Sequence, residues 1–432
     1  MAVYTSPGAG RVLIATAAGP LVAEPSWTRF DNLSACRCAG FDWSRGRQSE
    51  FDVTNTGTAR VNFHDRNGTL DDVAFIGKQI MLQLYDPVAA AWEPCFRGHI
   101  DDISYAPSPN TANVVTTLAC VDIFDYLGSV KMELGTFGDA QPDGQSQFVF
   151  YEDGLFQVRV EALLDDAGLD SDMYQVFTGN INVLESQYSP GDDDVLSAVR
   201  DATDAEFPSG VAQAYVDRFG RVAVHGRLAR FDPDATSGTA GDAAWDFRRW
   251  EAATRGDVGT TRAQIREFQY NQPRTRIINS YIAYPRGVRE EDIPALMRSD
   301  SASIAAYGYR GRDAPDLIVK GHQTNGNTGA EECGLYGDYF TVAYADPQKN
   351  VERIVLKSLR PEDDRATETW ALMTGADISD MLHLFISEAG MSDTEFYIEG
   401  VQGECRVGPP EYDFVTITYN LSPFTYFDTN PF

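Results

Sequence analysis

The sequence predicts a mainly β protein with an α+β insertion. Three observations carry that expectation. Aromatic residues make up 12% of the chain, with many Val, Thr and Tyr, a composition that suits pleated, half-buried surfaces. The first ~130 residues divide into short segments of period-two alternation separated by Gly and Pro. A loop rich in Gly, Asp and Gln at 135–147 then gives way to apolar residues at helical spacing. At 432 residues the chain exceeds one ordinary core. The expected parts are a first β domain at 1–133, a peripheral α/β domain at 134–250 and a second β domain at 251–432 with helical insertions.

Arg11 to Ala15 is the first candidate strand. The next begins after Gly57, where Ala59, Val61 and Phe63 share one face and Arg60, Asn62 and His64 the other. Asp65-Arg66-Asn67-Gly68 follows, and Asn-Gly supplies the positive φ of a tight turn. Gln79 to Tyr85 alternates with Ile80, Leu82 and Leu84 on one face and ends at Asp86-Pro87. Trp92 to Asp102 and Val114 to Val121 are further strands, and Asp122 to Leu127 starts a helical turn. Strands at this spacing suggest a sandwich or small barrel.

In the insertion, Phe156, Val160, Leu163, Leu164 and Ala167 predict a helix stopped by Gly168. A second helix carries Val195, Leu196, Val199 and Ala202, and Asp192, Asp193 and Asp194 complement the dipole of its first turn. A metal cluster there would need further ligands at defined spacing, and none is visible. Tyr215-Val216 and Val222 to Val224 flank Asp217-Arg218-Phe219-Gly220, a hairpin with Gly in the left-handed position. Downstream, Arg276 to Tyr284 reads as a strand with Ile278, Ile282 and Tyr284 on one side, and Ser299 to Tyr309 as a short helix stopped by Gly308. Ala330 to Asp346 reads as a helix that Gly334 and Gly337 weaken. Val351 to Leu359, Phe396 to Val401 and Asp413 to Leu421 are strands, the last with Val415, Ile417, Tyr419 and Leu421 on one face.

A net charge of −29 repels nucleic-acid phosphates and anionic membranes, which argues against general DNA binding. Cys36, Cys38, Cys95, Cys120, Cys333 and Cys405 form no Cys-x-x-Cys pair, so no zinc ribbon or redox motif is indicated, and reduced, mostly buried thiols are expected. The N-terminus lacks a basic region ahead of its apolar residues, so no secretory signal is expected, and no apolar run of about 18 residues predicts a membrane span.

A series of blocks from about residue 43 to 423 resembles the tail hub proteins of long-tailed bacteriophages, also called minor tail proteins. The first block is Arg45-Gly46-Arg47 leading into GTARVNFHDRNGTLDD from Gly57 to Asp72. Phe96-x-Gly98 with Ile100-Asp101 is similar to the returning strand of that family. The helix followed by YVDRFGRVAVHGR from Tyr215 is a tighter match in order and spacing, and Ser303-Ile304-Ala305-Ala306-Tyr307-Gly308 is another. Gly375 and Asp377 stand where relatives carry a Gly-Asp turn, here split by Ala376, and Leu421-Ser422-Pro423 resembles the family's exit. The stretches near 135–150, 232–262 and 286–298 are unmatched.

The resemblance implies two small tube-type β-barrels or sandwiches plus a peripheral α/β domain. It implies a homotrimeric structural hub at the tail tip of the virion, assembled in the host cytoplasm. Three chains would set six similar barrels in a ring that adapts a sixfold tail tube to a threefold tip. The implied partners are further copies of the chain, the tail tube or distal tail protein ring, the tape measure protein, and tail fibre or receptor-binding proteins. DNA would contact the hub only in transit during ejection, an acidic wall would let it slide, and no stable membrane insertion is implied. The resemblance leans to a non-contractile tail.

No catalytic, cofactor-binding or metal-binding residue is assigned. His64, His99, His225, His322 and His383 lie outside any His-Glu-x-x-His motif, and Gly-x-Ser-x-Gly and phosphate-loop motifs are missing. Asp65-x-Asn67-Gly68-x-x-Asp71 lacks the later Glu of a calcium loop, and a turn explains the same residues. Arg45, Arg47, Arg227, Arg230, Arg248 and Arg249 are read as exposed, with partners either across subunits or within the chain. The rival readings are a receptor- or carbohydrate-binding tail tip module, with Trp245 and Trp250 as a near pair of platforms, and a tail-associated cell-wall hydrolase.

Overall fold

Alternation along the first strands becomes burial in the computed structural model, where Ala59, Val61 and Phe63 are all core residues. The structure describes residues 9–30, 36–65, 70, 75–107, 114–133, 137–138, 149–176, 183–189, 193–208, 211–226, 248–254, 261–272, 274–289, 291–321, 323, 327–406 and 414–423. The first part holds β1 (Gly10–Ala15), β2 (Thr28–Arg29), β3 (Cys36–Gly46), β4 (Asn55–Asp65), β5 (Gln79–Asp86), β6 (Ala91–Pro107), β7 (Val114–Val121) and helix α1 (Ile123–Ser129). Asp122 caps α1 by accepting from the Phe124 N–H.

The middle part holds β8 (Val149–Tyr151), β9 (Gly154–Leu155), α2 (Phe156–Asp166), β10 (Tyr174–Val176), β11 (Val183–Leu184), β12 (Gln187–Ser189), α3 (Val195–Glu206), β13 (Gln213–Val216) and β14 (Val222–His225). Gly168 (φ 82°) ends the α2 segment and Gly220 (φ 80°) turns the β13–β14 hairpin, both in the left-handed region. The last part holds β15 (Arg249–Ala253), β16 (Ala263–Gln264), β17 (Glu267–Asn271), β18 (Ser280–Pro285), β19 (Arg298–Ser299), α4 (Ser301–Tyr307), β20 (Gly311–Leu317), α5 (Gly329–Ala343), β21 (Asn350–Lys357), α6 (Ala366–Gly375), β22 (Met381–Ile386), β23 (Met391–Arg406) and β24 (Phe414–Pro423).

Two halves of one 14-stranded sheet repeat the same plan. In the first, hydrogen-bonded neighbours run β1-β5-β6-β7-β4-β3; in the second they run β15-β22-β23-β24-β21-β17. Chain order and spatial order both correspond, strand for strand. The long central strands share a finer mark. The β5–β6 ladder skips Cys95 and the β6–β7 ladder skips Asp101; the β22–β23 ladder skips Asp393 and the β23–β24 ladder skips Glu399. Each central strand therefore carries two bulges at the same separation, bending it at matching points. One difference is that β1 runs antiparallel to β5 whereas β15 runs parallel to β22.

Of the expected small barrels or sandwiches, the barrels are corrected. Among the described residues no ladder joins β1 to β3. From Gly40 to Gly46 the outer edge of β3 is paired with β23 instead. The two ends of the first sheet meet through side chains instead: a Cβ on Gly10 would lie 2.5 Å from the Phe41 ring and 2.8 Å from Cys405 Sγ. Apolar residues from both β units form one core. A second core joins α1, α2, α3 and the β13–β14 hairpin to an excursion spanning Ile278 to Tyr344, with Tyr281 stacked on Phe340 at 4.5 Å.

That excursion corrects the expected strand at 276–284. Arg274–Arg276 is a 3-10 turn, β18 starts at Ser280, and Tyr281 and Ala283 face the core while Ile282 and Tyr284 are half-buried. The inward face is set by α5, against which Tyr281 stacks. Gly334 and Gly337 stay inside α5 because Arg298 crosses it there; a Cβ on either would lie 2.6–2.7 Å from that side chain.

Candidate functional site

The two β units join where β3 lies along β23. One edge of β23 is shared: Met391 to Tyr397 pairs with β22, and Gly400 to Arg406 with β3, in a register from Gly400↔Gly46 to Arg406↔Gly40. The switch falls at Glu399. Glycines allow the approach: a Cβ on Gly400 would lie 2.4 Å from the Arg47 carbonyl oxygen, and one on Gly46 (φ 83°) 2.4 Å from the Glu399 carbonyl oxygen. On the same ladder Trp43 covers Gly403, where a Cβ would sit 2.0 Å from the indole.

Arg45 and Arg47 flank that glycine, and both are buried rather than exposed. The Arg47 guanidinium meets Glu399 with Nε at 2.7 Å and Nη2 at 2.6 Å from Oε2, and the Ser422 hydroxyl donates to the other carboxylate oxygen. Arg45 ties three parts together. Its Nε–H donates to the Cys95 carbonyl on β6 (3.0 Å), and Nη1 donates to the Val216 carbonyl of the β13–β14 hairpin (3.1 Å) and to Asp377 Oδ1 (2.8 Å). Asp377 Oδ2 accepts from the Arg218 backbone N–H at 2.8 Å, and the Arg218 side chain donates to the Thr374 carbonyl. The conspicuous sequence blocks around Arg45, Asp217 and Asp377 thus converge on one buried knot.

Asp380 sits beside it. Its carboxylate accepts from Trp250 Nε1 (2.9 Å), from the Asp377 N–H (3.0 Å) and from the Arg248 N–H (3.2 Å). Burial, reinforced by the nearby Asp377 charge, pushes its pKa up to about 7 against those donors. Asp217 is likewise raised by burial, with Asp377 adding to the shift and Arg221 opposing it. A Ser–His contact is also present, with His225 Nε2 2.8 Å from Ser379 Oγ. Both residues are fully buried, and the contact fastens β14 to the turn before β22.

The other candidate residues separate cleanly. Trp250 is bound into the knot and packs on Gly375, so it is not a free platform; Trp245, Arg227, Arg230 and His322 lie outside the described residues. Arg248 and Arg249 are exposed. Asp194 is the N-cap of α3, accepting from the Ser197 N–H at 2.8 Å; Asp192 lies outside the described residues, as do Asn67, Gly68 and Asp71. Asp65 is buried and accepts from the Leu70 N–H at 2.8 Å. Cys38, Cys95, Cys120, Cys333 and Cys405 are buried and form no disulfide, and burial pushes the Cys95 and Cys120 thiols up. Among the described residues no group of three or more His, Cys, Asp or Glu is placed to hold a metal ion, and no helix is long and apolar enough to cross a membrane. A cleft of about 320 Å³ beside Arg47 is lined by Arg200, Asp204 and Asp313 among others, with neither His nor Cys in its wall.

No protein-family model and no curated protein matches this chain in sequence. Solved structures do match in fold. A tail protein from Neisseria meningitidis is 9% identical with a TM-score of 0.55, covering 96% of this chain and 96% of that one. The 43 kDa tail protein of prophage MuSo2 from Shewanella oneidensis is 9% identical with a TM-score of 0.52, covering 95% of this chain and 97% of that one. This chain therefore has the fold of phage tail proteins over its whole length.

Proposed function

We propose that this chain is a structural protein of a phage tail, the hub at the tail tip. The observation that carries this is the duplicated six-stranded unit. Two like units per chain let three chains offer six like surfaces, which is what a threefold part needs in order to sit on a sixfold tube. In this reading the units at 1–133 and 251–432 form the tube-like wall, the α/β part at 134–250 lies outside it, and DNA leaves through the middle. The units act as barrel-like modules although their ladders stay open.

The partners in this reading are the tube or distal tail ring above, the tape measure protein within, and fibre or receptor-binding proteins outside. An acidic surface suits a conduit that must not retain DNA, since the net charge of −29 repels phosphate. No chemistry is assigned to the chain in this reading, and the knot at Arg45 and Arg47 is buried and holds structural ion pairs. The test is the mass of the purified full chain by light scattering. Three chains per particle is the expected result; a single chain at every soluble concentration overturns the reading.

A further inference from the structure

Three parts of the chain meet around one small cavity. The excursion leaves the second β unit at Arg276-Ile277 and returns through Asp346 to Asn350, the first residue of β21. The loop after β3 reaches the same place with Glu50. The cavity between them measures about 10 Å³, close to the room one water molecule takes.

Its wall carries two buried oxygens that nothing serves. Glu50 is 4% exposed and Asn350 is fully buried. Glu50 Oε1 accepts from Arg276 Nη1 at 3.1 Å, and Asn350 Nδ2 donates to Asn271 Oδ1 at 3.4 Å. The remaining atoms, Glu50 Oε2 and Asn350 Oδ1, have no hydrogen-bond partner among the described residues. An acceptor buried in this way loses its hydrogen bonds to solvent and regains none, and for a carboxylate the loss is larger. Burial accordingly pushes the Glu50 carboxyl above its ordinary range, against the Arg276 charge.

Arg276 decides which species fits. A bare divalent cation takes about six or more oxygens, and it would meet a guanidinium in the wall. A water needs less: it donates to two acceptors and accepts from a donor. Arg276 has further N–H groups beyond the one given to Glu50.

We infer that the cavity is the binding site of one structural water, which donates to Glu50 Oε2 and Asn350 Oδ1 and accepts from the Arg276 guanidinium. The Glu50–Arg276 ion pair already ties the first β unit to the root of the excursion. The water adds the second unit, through Asn350, close in sequence to the Arg47–Glu399 pair. It serves the fold of a single chain and is independent of the hub reading.

The test is a crystal structure of the full chain at a resolution that shows ordered water. The expected result is a density peak about 2.5–3.0 Å from both oxygens and about 2.7–3.2 Å from an Arg276 nitrogen. No peak, a peak that touches only one of the two oxygens, or a direct contact between them overturns the inference. So does a peak with six oxygens at about 2.0–2.6 Å, which marks a cation. A solution measurement separates the same cases. The melting temperature should be equal in sodium, potassium and tetramethylammonium chloride at one ionic strength; a drop of several degrees in tetramethylammonium reveals a small bound cation and overturns the water. In Asn350→Leu, of nearly equal size, the bridging peak should be lost; a peak that stays in place overturns the role of Asn350.

Discussion

Replacing Arg47 by Met is the sharpest perturbation of the junction. Arg47 and Glu399 are 3% and 0% exposed in their side chains, and two guanidinium N–H groups lie 2.6–2.7 Å from one carboxylate oxygen. Hydrogen bonds to charged groups contribute about 1.5–3 kcal/mol each, so two give about 3–6 kcal/mol. Breaking a buried pair by removing one partner costs about 3–5 kcal/mol, because the other charge stays buried and unpaired. We therefore expect Arg47→Met to lose about 3–5 kcal/mol. Arg47→Met/Glu399→Leu removes both charges and should recover all but about 1–2 kcal/mol, the remainder coming from the stranded Ser422 hydroxyl. Urea unfolding followed by tryptophan fluorescence reads the core that contains Trp43, Trp250 and Trp370. The reasoning fails if the double variant is as unstable as the single one, or if the single substitution costs under about 1 kcal/mol.

Other predictions follow from neighbouring residues. Asp380 has a folded pKa of about 7 against an ordinary 3.8, so the folded state binds its proton more tightly than the unfolded state does. Stability from this group is fully present below about pH 4 and is lost as pH rises toward 7, by up to about 4 kcal/mol at 1.36 kcal/mol per pH unit. Asp380→Asn should flatten that window in unfolding free energies measured from pH 4 to 8; an unaltered profile counts against Asp380 as its source. Gly46→Ala combines a left-handed φ with a backbone collision and should cost at least about 3 kcal/mol. Gly77→Ala, at φ 76° with open space around it, should cost only about 1–2 kcal/mol, and equal losses at the two sites would refute the close-approach argument. Trp250→Phe should lower the melting temperature by removing the Nε1 donor to Asp380, with a cost of about 1–3 kcal/mol.

What the sequence displays is governed by what each strand buries. Strand β4 alternates legibly because one face lies in the core and the other in solvent. Strand β17 is not assigned from the sequence: Phe268 and Tyr270 alternate with Glu267, Gln269 and Asn271, but the run is five residues long and none of them is fully buried. Helix α6 was missed for a related reason: it opens on Arg365 at φ 66° with no side-chain cap, so no start signal precedes it. The Arg-Gly-Arg segment was visible as a motif, yet its partners sit on β23 and before β22, far along the chain, and only the ladder brings them near. Exposure was therefore the natural expectation for Arg45 and Arg47, and burial the outcome. The internal duplication was hidden as well. Ile100-Asp101-Asp102 and Ile398-Glu399-Gly400 share one identical residue, and their equivalence rests on bulge spacing, which has no composition.

Duplication inside one chain also has a consequence that six separate copies would lack. The two units are alike in strand order but not in what they carry. The α/β part follows the first unit, and the excursion from Ile278 to Tyr344 interrupts only the second, between β17 and β21. Both decorations fold into a single core, with Tyr336 donating its hydroxyl proton to the Ala205 carbonyl at 3.0 Å and Phe207 packed on the Tyr336 ring at 4.8 Å. In the ring proposed above, such chains would keep six like walls inward while bearing three outward bodies, one per chain. Removing the Tyr336 hydroxyl with Tyr336→Phe deletes its hydrogen bond to the Ala205 carbonyl and should destabilise the outer body by about 0.5–1.5 kcal/mol. Because the substitution leaves the two β units untouched, the mass of the assembled particle should not change. A loss of assembly in Tyr336→Phe would mean that the outer body takes part in the contacts between copies.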